Sequence, residues 1–196
     1  MKNLFRNHSY DMVKMFLNQF ATAIFGFSLA IAAEKAQNTT LRNVTSVGAI
    51  LFYLFLLYTM VWEMGFRDRA AVMRGTKQRQ LYKGALISLC ANIPNFLLAL
   101  PILLGNLFQN EFFGGIGGFC KSAAILLEGM YTGLLANRVN SVLLNNYWFV
   151  YFLIPLPAIL ICGIAYIFGL KDIKLTPLAT YQYPESDREP KQKRGK

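Results

Sequence analysis

The 196-residue chain is 55% hydrophobic and only 15% charged, and it carries 16 Phe, 10 Tyr and 2 Trp. Soluble domains carry about 25% charged residues, and disordered chains carry still more charge with fewer aromatics, so both classes fit poorly. Its 20 Lys and Arg stand against 10 Asp and Glu, for a formal charge of +10. In a soluble protein that excess would suggest nucleic acid; beside so much apolar surface it indicates an all-α integral membrane protein with a basic cytosolic side and no nucleic-acid partner.

Charge is absent from four runs: Met15 to Ala33 with 19 residues, Asn43 to Trp62 with 20, Gly84 to Asn110 with 27 and Val139 to Leu170 with 32. A charge at the bilayer centre costs about 2.5–3.5 kcal/mol, and about 20 helical residues cross the hydrocarbon, so each run supplies one crossing. The spans fall near residues 12–33, 46–66, 84–106 and 147–170 of a transmembrane domain covering 1–170, followed by a basic cytosolic tail, 171–196, polar enough to be mobile. The last run, interrupted by Pro155 and Pro157, is too short for two full crossings.

In the first span, Ala30-Ile31-Ala32 resembles a signal-peptidase site, but Asp11 in a long leading region and Asn18 and Gln19 in the apolar core favour an uncleaved anchor. Asp11, Lys14, Asn18 and Thr22 recur at helical spacing and share a face expected to meet protein. Two glycosylation-like triplets, at Asn38 and Asn43, sit in the short loop that follows.

In the second span Thr59, Glu63 and Arg67 follow at i,i+4, so Glu63 pairs locally with Arg67 or, as the alternative, serves as an intramembrane carboxylate for proton coupling. The segment Arg67 to Lys83 holds six cations, Arg67, Arg69, Arg74, Lys77, Arg79 and Lys83, against Asp68 alone. It is assigned to the cytosol, where these residues can bind anionic headgroups or an acidic partner.

The third span carries Asn92-Ile93-Pro94-Asn95. Pro94 removes a backbone hydrogen bond and should kink the helix, while Ser88, Asn92, Asn95 and Ala99 share a face that docks another helix or lines a polar cavity. After it, the glycine cluster from Gly114 to Gly118 reads as a turn leading into an amphipathic segment, 119–137, with Lys121 and Glu128 on one face. That segment lies in the interface, re-enters, or crosses as a fifth span. Tail, central loop and N-terminal stretch are all basic, so an even number of crossings after the loop satisfies every segment, and four spans are preferred. Tyr147, Trp148 and Tyr151 then read as an anchor at the outer headgroups.

Cys90, Cys120 and Cys162 have no paired spacing, the single histidine His8 has no clustered ligands, and no nucleotide, zinc-protease or serine-elbow motif is present. No catalytic residue, metal ligand or cofactor site is therefore assigned. The leading expectation is a non-enzymatic plasma-membrane protein with both termini cytoplasmic, an accessory or structural subunit that associates with another membrane protein or with itself. The alternative is a small solute-binding transporter component or channel. The candidate intramembrane polar residues are Asn18, Thr22, Glu63, Ser88, Asn92, Asn95, Lys121 and Glu128.

Overall fold

The computed structural model describes residues 2–76, 78, 80–108 and 111–173. The expected tail from 174 onward, with Lys77 and Arg79, lies outside them. The described chain is mostly helical: α1 (Lys2–Lys35), α2 (Thr39–Met73), α3 (Lys83–Ala91), α4 (Ile93–Phe108), α5 (Glu111–Leu127), α6 (Thr132–Leu135), α7 (Val150–Leu153) and α8 (Leu156–Lys171). A two-stranded hairpin, β1 (Arg138–Val139) with β2 (Val142–Leu143), links α6 to α7. Three helical stretches, His8–Lys35, Thr39–Met73 and Val150–Lys171, are long and apolar enough to cross a membrane, and α3 with α4 makes a fourth if the pair is one span.

Local chemistry sets the boundaries. Gln37 takes φ 51°, ending α1, and Asn38 caps α2 by accepting the Leu41 backbone N–H at 3.0 Å. One of the two glycosylation-like asparagines is thus a helix cap. The expected kink is present: α3 stops at Ala91 and α4 departs at 55°, because Pro94 cannot donate into the ladder. Pro101 lies inside continuous α4.

The main core joins α1, α2, α3 and α8 through Met15, Tyr53, Leu57, Ile87, Cys162 and Tyr166. Glycines bring α2 and α8 to backbone contact: a Cβ on Gly65 would strike the Tyr166 carbonyl, and one on Gly169 the Trp62 carbonyl. A smaller core holds α4, α5 and α7 together through Ala99, Ile102, Ala124 and Tyr151. Outside both, Leu17, Phe20, Phe25, Leu51, Leu97 and Leu160 are exposed. In water such faces would drive aggregation; in hydrocarbon they are the expected surface.

Three expectations need correction. The glycines from Gly114 to Gly118 are helical residues of α5 rather than a turn. Glycine costs about 1 kcal/mol in a helix, but here Gly117 lets α5 lie against the Pro101 carbonyl and Gly105 of α4, and that packing overrides propensity. Tyr151 is core rather than headgroup anchor, at 1% exposure, whereas Trp148 remains partly exposed. The basic segment is also not all loop, since α2 continues through Arg67 and Arg69 to Met73.

Candidate functional site

The buried face of α1 runs through Met12, Met15, Gln19, Thr22 and Ala23, which places Gln19 rather than Asn18 toward the core. Gln19 Nε2 donates to Asn95 Oδ1 of α4 at 3.0 Å and to the carbonyl of Leu127, the last residue of α5, at 3.4 Å. Asn95 Nδ2 donates to Asn92 Oδ1 at 2.8 Å, and Asn92 Nδ2 to the Ser88 carbonyl at 2.9 Å. A chain of amides thereby joins α1, α3, α4 and the end of α5. In an apolar interior each of these groups needs such a partner, so the network fixes how the helices meet.

Glu128 sits where α5 ends. It is 1% exposed, and neither carboxyl oxygen has a hydrogen-bond partner among the described residues. From it the chain turns through a 3-10 turn, Gly129–Tyr131, and runs back as α6 toward the α1–α2 connection. Gly129 lies on the Ala23 carbonyl, where any Cβ would collide, so this reversal against α1 requires glycine. The carboxyl is within electrostatic reach of the phenols of Tyr53, Tyr131 and Tyr151. Two of those phenols are already engaged: Tyr131 donates to the Ile154 carbonyl at 3.4 Å and Tyr151 to the Asn145 carbonyl at 3.1 Å. Two helix breaks, at Asn92 and at Glu128, are therefore tied together through Gln19, and the second carries a buried acid with no hydrogen-bond partner among the described residues.

Of the residues singled out from sequence, Ser88, Asn92, Asn95 and Glu128 lie in or beside this centre. Thr22 borders it, donating to carbonyls of its own helix and facing Met130 Sδ, and Asn18 points toward Met60 Sδ. Glu63 and Lys121 do not join. Glu63 is exposed with Arg67 3.9 Å away, the local pairing its spacing implied, and Lys121 Nζ donates to Asn146 Oδ1 at 2.6 Å. Gln19, Tyr53 and Tyr131 were not singled out as site residues, and Tyr151 was read only as a headgroup anchor. Gln19 had a signal, as a polar residue interrupting an apolar run, whereas nothing in the sequence set Tyr53 and Tyr131 apart.

The basic cluster divides. Lys83 is buried, its Nζ 2.5 Å from Asp68 Oδ2, and Tyr166 donates to the same oxygen at 2.8 Å. It is spent inside the protein, which removes it from the residues offered to headgroups or an acidic partner. Arg69 pairs with Asp172 at 2.6 Å, while Arg67 and Arg74 are exposed. His8, whose sequence surroundings offer no cluster of ligands, has its Nδ1 2.8 Å from Asp11 Oδ2.

No protein-family model, curated protein sequence or solved structure matches this chain.

Proposed function

We propose that the protein is a non-enzymatic plasma-membrane protein that binds a small solute at the centre around Glu128, as a transporter or a component of one. The chain crosses four times, with the basic loop and both termini cytoplasmic. In this reading α3 and α4 form one broken span, while α5, the 3-10 turn and α6 enter and leave from the opposite side. The observation that carries the proposal is the meeting of two interrupted helices at Gln19 beside a buried carboxyl that has no hydrogen-bond partner among the described residues. Intramembrane acids are costly, and interrupted helices at membrane depth are tolerated where they are buried in protein or line a cavity, an arrangement that transporters use to build binding sites. The amides at Asn92 and Asn95 are consumed inside the chain, so they give no support to docking an external subunit.

A thermal-shift panel on the detergent-purified chain tests this. One chemical class among amines, amino acids, sugars and carboxylates should raise the melting temperature of the wild type but not of Glu128→Gln. A panel in which every stabilising compound acts equally on both proteins overturns the assignment.

A second reading, an accessory subunit of a membrane complex, is favoured by one observation. Gly114 and Gly118 stand one turn apart on α5, and a Cβ at either would meet nothing within 4 Å. Such a small-residue face suits close approach of another membrane helix.

A further inference from the structure

Among the described residues, Asn145 Oδ1 and Asp172 Oδ1 are buried without a hydrogen-bond partner away from Glu128, but several such atoms lie along one side of it. Beyond the two oxygens of Glu128 they include Thr132 Oγ1, Ser46 Oγ and Arg42 Nε. Thr132 is one turn beyond Glu128, in α6. Its neighbour Gly133 lies directly on Ser46 Oγ and the Arg42 carbonyl, so α6 rests on the first turns of α2. Arg42 is one turn nearer the end of the bundle than Ser46, and its Nη1 reaches Glu34 Oε2 at 2.7 Å, where the glutamate side chain is 68% exposed. From Glu128 toward the surface, Thr132, Ser46 and Arg42 thus follow one another along α6 and the start of α2, and bridging waters can satisfy polar groups in such a row. Buried polar groups of this kind are ordinarily satisfied by internal water.

We propose that Glu128 exchanges a proton with the aqueous phase at the end of the bundle away from the basic loop, along a water-mediated path through Thr132, Ser46 and Arg42. This rests on the solute-binding reading and names its coupling ion. Among the described residues, no cation faces the carboxyl from any element packed on it. Gln19 and Thr22 lie on α1, Tyr53 on α2, Asn95 on α4, Tyr131 on the 3-10 turn and Tyr151 on α7, with Cys162 of α8 beside Tyr53. Lys121 is held by Asn146 and Arg42 by Glu34. An ionised carboxyl left there without a counter-charge is strongly disfavoured, so the buried acid holds its proton. Release passes the proton from the carboxyl oxygen to the first water of the path and leaves a carboxylate, which persists only when water or a cationic solute enters beside it. Proton and solute cation then compete for one group.

The test is infrared difference spectroscopy of the full chain in lipid nanodiscs after an alkaline pH jump. The wild type should show the carbonyl band of a neutral carboxylic acid at neutral pH, absent in Glu128→Gln, and should lose it on the jump. Ser46→Ala and Thr132→Val, which delete hydroxyls with little change of shape, should slow that loss by about tenfold, equivalent to ~1.4 kcal/mol in the barrier, without changing its final extent. Absence of the band in the wild type overturns the proposal, and so do unchanged rates in both hydroxyl variants. A band that behaves as expected in a protein that binds no compound leaves the proton path standing and removes the solute. Solute binding without the band does the reverse.

Discussion

Replacing Lys83 by methionine should be among the most damaging single changes in the protein. Lys83 and Asp68 are each 7% exposed, their charged atoms are 2.5 Å apart, and Tyr166 donates to the same carboxylate oxygen. The pair ties the start of α3 to the far end of α2, and the phenol adds α8. Removing one member of a buried ion pair costs about 3–5 kcal/mol; because this pair is near the end of the helices, where water approaches, the lower figure of about 3 kcal/mol is expected. Asp68→Asn in the same chain removes the charge that Lys83 offsets while keeping an oxygen for Tyr166, so the double variant should come within about 1 kcal/mol of wild type, a coupling of more than about 2 kcal/mol once the cost of Asp68→Asn alone is counted. The assay is reversible unfolding in mixed detergent micelles followed by tryptophan fluorescence. Trp62 stacks on Phe66 with centroids 5.4 Å apart and donates to the Ile173 carbonyl, so it reports on the same end of the bundle. Additive single effects, with coupling under about 0.5 kcal/mol, would refute the reasoning and return Lys83 to the cations available to lipid.

The other predictions concern packing, the amide network and topology. Gly65→Ala should destabilise by about 2 kcal/mol in the same assay, since the added carbon lands on backbone of α8, whereas Gly48→Ala, with nothing within 4 Å, should be neutral or slightly stabilising. Gln19→Leu removes two donors at once and should cost about 1–2 kcal/mol, within the range of hydrogen bonds between membrane helices; Ser28→Ala, which loses only a bond to the Ile24 carbonyl of its own helix, serves as the control. In a cysteine-free background, Asn140→Cys at the hairpin tip should react with an impermeant thiol reagent on intact cells and Arg74→Cys should not, and the opposite pattern inverts the topology.

Much of the scaffold was legible because its cause is local. Charge-free runs gave the helices, Pro94 gave the bend, and the amides on one face of α3 and α4 marked where another helix would meet them. The partner itself was not legible, because Asn18 and Gln19 differ by one residue and only packing decides which faces inward. Proximity in sequence also misled at Lys83, where a cation at the end of a basic segment is paired with an acid fifteen residues earlier in the chain. The glycines of α5 were read by conformational preference, and the decisive term was contact with a neighbouring helix that the sequence does not name. Glu128 was visible as an acid in an apolar segment, but its isolation between two helix breaks depends on how α5 reverses against Ala23.

The most direct measurement of whether Glu128 is the centre of a binding site is native mass spectrometry of the full chain released from mild detergent. The proposed function predicts a retained small molecule on the wild type that is lost from Glu128→Gln while both proteins stay folded. A stoichiometric protein partner, bound equally by both and released by Gly114→Leu with Gly118→Leu, would contradict it and establish the accessory subunit instead.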